Sequence, residues 1–314
     1  MARFLLTRLI LTMPVLFLVS VMAFGLIWLV PGDPASVFLD ASASPEALAR
    51  IRAQLGLDKP FYLQVIEWYG RALRGDLGQS LLLNRSVTQA ILERLPVTLS
   101  LLSLALVIAI LLGGAAGVLA AVRHNRAADQ SIMILALLGL SLPEFWLGLV
   151  SIYAFAVTLG WLPTGDYKPF SAGFIAWARH MAMPAAVLAA VQMGFLARMT
   201  RSAMLEVLQQ DYIRTARAKG ISELRIIGRH GLANALIPVI TVVGIMTGNL
   251  LGGAVVTEQV FSLPGVGRLI IGGILGRDFP VIQGGLLFLA VIYLTVNLAV
   301  DLAYALIDPR VRLG

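Results

Sequence analysis

Three lysines would be the natural place to look for nucleotide chemistry, and none is placed for it. A phosphate-cradling loop ends in Gly-Lys-Ser/Thr, so that backbone N–H groups and an ammonium meet the same phosphates. Lys59, Lys168 and Lys219 instead follow Asp58, Tyr167 and Ala218. His124, His180 and His230 are far apart in the chain, and no His-Glu pair exists to build a helical zinc site with its base. The Gly-x-Ser-x-Gly turn that exposes a nucleophilic serine is missing. There is no cysteine for thiolate chemistry or disulfides. No catalytic residue is expected in this chain.

The remaining candidates are polar side chains set in apolar surroundings. Glu144 falls within Ser141-Leu142-Pro143-Glu144-Phe145-Trp146-Leu147-Gly148. A carboxylate there either faces a solute path, where it would attract an amino group, or pairs with a polar neighbour; ionisable groups in membranes are costly and often functional. Gln192, Asn249 and Gln283 are candidates to line the same path, with interhelical hydrogen bonding as their alternative use.

The elements that must position these residues are membrane helices. Of the 314 residues, 59% are hydrophobic and 13% charged, and the mean hydropathy is +0.87. Soluble domains carry about 25% charged residues, so this chain lacks the polar surface to enclose a core in water. A spanning helix needs about 20 apolar residues. Charge-free runs cover 9–30, 95–122, 181–197, 231–257 and 279–300, and 130–165 is interrupted only by Glu144. An all-α polytopic membrane protein with six transmembrane helices is the expected fold. The first run exceeds the 7–15-residue core of a cleavable signal, so it is read as a retained span.

Six spans place both termini on one side. With both cytoplasmic, 13 of the 24 Lys and Arg residues lie in inner segments, and seven of these lie between Arg198 and Arg229. The two short outer loops hold only Lys168, Arg179, Arg268 and Arg277. This is the excess expected of cytoplasmic loops. It gives the net charge of +7 a topological cause and removes nucleic acid as a partner.

The organisation expected is a single domain over 1–314, with a first span (1–30), an outer segment (31–94) and a five-span core (95–314). The outer segment should carry short amphipathic helices, one starting at Ser44-Pro45-Glu46 and one bearing Phe61, Tyr62, Val65, Ile66 and Tyr69. These either pack on the spans or meet an outer partner. Gly113 and Gly117, and then Gly244, Gly248 and Gly252, form small-residue faces that let helices approach closely in lipid.

The inner segment 198–230 is far longer than the 2–8 residues usual between bundle helices. Met204, Leu205, Leu208, Tyr212 and Ala216 recur at helical spacing, which predicts one amphipathic helix ending at Gly220. Ser222 can cap a second, with Leu224 and Ile227 on one side. Such helices suit either a protein partner or a surface of anionic lipid.

The run Asp211-Tyr212-Ile213-Arg214-Thr215-Ala216-Arg217-Ala218-Lys219-Gly220, followed by Arg229-His230 and Asn234-Ala235-Leu236-Ile237-Pro238, resembles the EAA loop of binding-protein-dependent ABC importer permeases. The form is that of the dipeptide, oligopeptide, nickel and glutathione group. Pro31-Gly32-Asp33-Pro34, Leu55-Gly56-Leu57-Asp58-Lys59-Pro60, Gly75-Asp76-Leu77-Gly78 and Pro264-Gly265-Val266-Gly267 support it in order along the chain. The resemblance implies the type I ABC importer transmembrane-domain fold in a bacterial inner membrane. It implies a peptide or peptide-like solute, with a nickel complex as the alternative.

It also implies a second homologous permease subunit, two cytoplasmic ATPase subunits that hold the ATP and Mg, and an extracytoplasmic solute-binding protein. The coupling residues carried over are Arg214, Thr215, Ala216, Arg217, Lys219 and Gly220, with Ala216 and Gly220 matching the motif's small alanine and corner glycine. Arg214 stands where the general motif has an acid. A self-sufficient secondary transporter is the competing class; it would carry midplane ionisable groups and inverted repeats.

Overall fold

The computed structural model describes residues 2–29, 58–80 and 82–307, together with positions 46, 49, 52 and 53. The helix start expected at Ser44-Pro45-Glu46 and the motifs at Pro31-Gly32-Asp33-Pro34 and Leu55-Gly56-Leu57 lie outside the described residues, Glu46 apart. The chain separates into two compact units, one of residues 1–96 and 264–294, the other of 97–263 and 295–314.

The first unit begins with α1 (Ala2–Leu29) and α2 (Phe61–Ala72). The aromatic periodicity of α2 does form a helix, and it packs on α1. Phe24 meets Phe61 and Trp68 at 5.6 and 6.1 Å, Phe17 stacks on Tyr69, and the Ser20 and Tyr69 hydroxyls share a hydrogen bond. Two short antiparallel strands, β1 (Gln79–Ser80) and β2 (Arg85–Ser86), then lead into α3 (Val87–Ile108). Val87, Ala90 and Ile91 of α3 form an apolar core with Val266, Leu269 and Ile270 of α11 (Val266–Leu275) and with Val281 of α12 (Phe279–Ile307).

The second unit is organised around one long helix. After α3 a π-helical turn (Ala109–Gly113) continues into α4 (Gly114–Val122), and a tight turn leads to α5 (Ala127–Ser141). α6 (Glu144–Ser151) and the π-helical Ile152–Thr158 follow, then α7 (Phe174–Leu208). α8 (Asp211–Ala218), α9 (Glu223–Arg225), a π-helical segment (Ile226–Leu232) and α10 (Ala233–Val260) come next, and the end of α12 from residue 295 belongs here too. The core is built on α7 residues Met181, Leu188, Leu196 and Met204, packed with Leu101, Ala235, Met246 and Leu250.

Glycine lets the π-helical turn and α4 approach α7 closely. An added Cβ at Gly117 would stand 2.6 Å from Ala197 O, and one at Gly113 2.9 Å from Met193 O. The small-residue face expected at 113 and 117 is therefore used. The face expected at 244, 248 and 252 is used only in part: Gly244 meets Val300, whereas a Cβ at Gly252 would find nothing within 4 Å.

Among the described residues four helices are long and apolar enough to cross a membrane, and the pair Ala127–Ser141 and Glu144–Thr158 makes a fifth if taken as one span. With the apolar stretch Ile10–Gly25 of α1, this is compatible with six. Side chains such as Leu111, Leu135 and Tyr153 point away from protein, as lipid-facing residues must.

Two spans differ from expectation. The run 130–165 bends by 104° between α5 and α6, because Pro143 lacks an N–H and its ring drives Leu142 to φ −85, ψ 132. The run 181–197 is only the middle of α7, whose 35 residues reach roughly 50 Å against a hydrocarbon core of about 30 Å.

Candidate functional site

The last turns of α7, residues 198–208, are the first part of the 198–230 segment, so the helix runs directly into it. Its helical periodicity does not continue as one helix. Gln210 adopts φ −69, ψ 149, which ends α7 and starts α8, with Asp211 in the first turn facing the positive end of the helix dipole.

α8 closes with a Schellman turn. Gly220 has φ +74, its N–H donates to Arg217 O at 2.9 Å, and Ile221 N–H donates to Ala216 O at 3.2 Å. A left-handed residue at this position is what the motif requires, and glycine supplies it without Cβ strain. Ile213, Ala216 and Ile226 are buried together against Leu208 and Ile221. The loop therefore has its own small apolar core, anchored on the last turn of α7.

The six expected coupling residues divide into two groups. Ala216 faces inward, 7% exposed, so the close approach its small side chain permits is to Ile213 and Ile226 rather than to a partner. Arg217 Nε donates to Glu223 Oε1 at 2.8 Å, which ties α8 to α9 across the glycine corner. Arg214, Thr215, Lys219 and Gly220 are exposed. The Arg214 guanidinium, 76% exposed, lies 3.6 Å from the Asp211 carboxylate.

Ser222 does start α9, but its hydroxyl makes no cap bond; its carbonyl accepts from Arg225 and Ile226. α9 is not separate either. It runs through the π-helical turn into α10, so the loop is joined to that helix without a break. Leu224 is 86% exposed instead of packing beside Ile227.

Three contacts that sequence reasoning missed tie α8, the π-helical segment and α10 together. Tyr212 OH donates to His230 O at 3.4 Å, and Asn234 Nδ2 donates to Tyr212 OH at 3.1 Å and to His230 O at 2.8 Å. All three residues lie in the stretches that carried the resemblance.

Of the four path candidates, Glu144, Gln192 and Asn249 belong to the second unit. Glu144 opens α6, accepts from the Thr257 hydroxyl and lies against Gly253 of α10. Gln192 is buried on α7 and Asn249 is exposed on α10. Gln283 belongs to the other unit, where its Nε2 is buried with no partner among the described residues. Three acids that the charge-free runs stopped short of are more deeply buried. Glu258 accepts from Thr98 at 2.6 Å, Asp278 from Ser80 at 2.5 Å, and Asp129 from Arg201 at 2.6 Å. Each sits at the edge of an apolar run, and that position was the overlooked signal.

The chain is similar to known proteins over nearly its whole length. The family described as "Binding-protein-dependent transport system inner membrane component" matches residues 113–313, and its N-terminal companion matches 1–102. A putative peptide transport system permease of Brucella abortus (strain 2308) is 48% identical over 312 residues, 99% of each chain. The di/tripeptide transport system permease of Pseudomonas aeruginosa (strain UCBPP-PA14) is 42% identical, covering 99% of each chain. The glutathione transport system permease of Escherichia coli O6:H1 is also 42% identical, over 99% of each chain. Among solved structures, an inward-facing form of the MetNI methionine ABC transporter aligns with TM-score 0.56 at 20% identity, over 67% of this chain and 93% of that one.

Proposed function

Because the chain belongs to the inner-membrane components of binding-protein-dependent transport systems, we propose that it forms part of the path by which a peptide or peptide-like solute crosses the bacterial inner membrane. Full-length relatives named for peptides, di/tripeptides and glutathione support that solute class. In this reading a second, homologous permease completes the path and an extracytoplasmic binding protein delivers the solute. Two cytoplasmic ATPase subunits bind ATP and Mg and supply the drive, and both termini of this chain are cytoplasmic.

The observation that carries the reading is the loop's construction. An exposed helix, α8, ends at a glycine corner, rests on its own apolar core, and is joined to α7 on one side and to α10 on the other. A mobile tether would need none of this; a part that receives force must be stiff. Closure of the ATPases around ATP moves α8 and α9, and α7 and α10 carry the displacement into the spans. The paired permeases turn outward, and hydrolysis returns them inward. Arg214 and Lys219 meet acidic side chains on the ATPase, and Leu224 enters an apolar pocket there.

Absence of native cysteine makes the test direct. A single Lys219→Cys should cross-link to a cysteine in the ATPase cleft and respond to ATP, whereas Lys168→Cys in the proposed outer loop should not. Equal labelling of both positions, or none at 219 in the assembled complex, contradicts the reading.

A further inference from the structure

We infer that Asp129 and Arg201 are positioning residues for energy coupling: their fork pins the lower part of α7 to the α4–α5 hairpin, so that movement of the coupling loop is passed on rather than absorbed. The inference rests on the coupling role proposed above.

Arg201 Nε donates to Asp129 Oδ1 at 2.6 Å and Nη2 donates to Oδ2 at 2.8 Å. Two parallel charge-assisted bonds of this kind fix orientation as well as distance. The carboxylate is 3% exposed, too deep to be a solvated surface pair of little consequence. Its Oδ2 also accepts the Asn125 N–H at 2.9 Å, in a turn where Asn125 adopts φ +59. Arg201 Nη2 lies 3.1 Å from His124 Nδ1. One carboxylate thus holds both the shape of the hairpin turn and the side of α7.

The packing around the fork is equally specific. A Cβ on Gly117 would stand 2.6 Å from Thr200 Cβ and 3.1 Å from Arg201 N, so α4 touches α7 at the turn that bears the arginine. Two helical turns beyond Arg201, Leu208 joins the coupling core of Ile213, Ala216 and Ile226. The fork is the last polar attachment of α7 to the α4–α5 hairpin before α8 among the described contacts. Apolar side chains alone would allow α7 to slide or rotate on its neighbours; a bidentate pair on a buried acid has a single register.

The test uses the assembled complex with its ATPases and binding protein in proteoliposomes and reads solute moved per ATP hydrolysed. Arg201→Gln should leave hydrolysis within about twofold of wild type while the ratio falls about tenfold, and Arg201→Lys, which keeps the charge but not the fork, should fall between. Because Arg201→Gln alone leaves a lone buried carboxylate, Asp129→Asn with Arg201→Gln provides a neutral pair that folds where the single variant does not. It too should lose the ratio. An unchanged ratio in the neutral pair, or hydrolysis and transport lost in equal proportion in every variant, overturns the inference. A wild-type complex that moves solute without hydrolysis contradicts the coupling reading itself and is a separate outcome.

Discussion

Glu144 Oε2 lies 2.6 Å from the point where a Cβ on Gly253 would stand, so α6 docks on α10 through the absence of a side chain. Gly253→Val forces the carboxylate off Thr257 and should cost the folded chain about 1–3 kcal/mol, the usual penalty of overpacking. Gly252→Val, one residue away, meets open space and should leave the thermal midpoint of the detergent-purified chain unchanged. Equal midpoints for both variants would remove Gly253 from the packing.

The Glu144 carboxylate has a partner of its own in the Thr257 hydroxyl, which is buried. Glu144→Gln keeps an acceptor for that hydroxyl and should retain stability and uptake. Glu144→Ala strands it, at about 1–3 kcal/mol. Loss of uptake in a fully stable Gln variant, with altered preference between solutes bearing and lacking a free amino group, would instead mark the carboxylate as a wall of the path.

Ser80 donates to the buried Asp278 carboxylate, which also accepts the Leu82 N–H at 3.3 Å. Ser80→Ala therefore leaves a buried acceptor short of a donor and should loosen the β1–β2 turn, at about 1–3 kcal/mol. Limited proteolysis at residues 79–86 should accelerate, with no change at 198–230. Faster cleavage at both places would mean global rather than local loss.

Leu224 is an apolar side chain of the proposed coupling loop with 86% exposure. Its replacement by Glu should leave the chain's own melting unchanged and reduce co-purification of the ATPase about tenfold, the loss expected of a central apolar anchor at an interface. Undiminished capture would place Leu224 outside the contact.

How far the sequence revealed this architecture depends on which force decides each element. Apolar runs disclosed the helices because lipid imposes one rule on every spanning segment. The bend at Pro143 was also written in the chain, but hydropathy does not register a missing N–H, so 130–165 looked continuous. Gly220 was legible as a corner because the left-handed conformation admits few other residues. The inward turn of Ala216 and the capture of Arg217 by Glu223 were not, since both depend on how α8 folds back over α9. Asp129 was hidden for a similar reason: its partner is 72 residues away, and only the packing of α5 on α7 brings them together.

Whether the glycine corner transmits force decides the role of 198–230. In the reconstituted complex, Gly220→Val places a β-branched residue at φ +74, a strain of about 1–3 kcal/mol that tilts α8 against its core. Solute moved per ATP hydrolysed is the quantity to measure, with Gly220→Asn, which tolerates this conformation, as the control. The prediction is a ratio at least about tenfold lower for valine, on the scale of a coupling free energy of 1–3 kcal/mol, with hydrolysis preserved and asparagine near wild type. A valine variant that assembles, hydrolyses ATP and transports at the wild-type ratio would contradict the assignment of 198–230 as the coupling element.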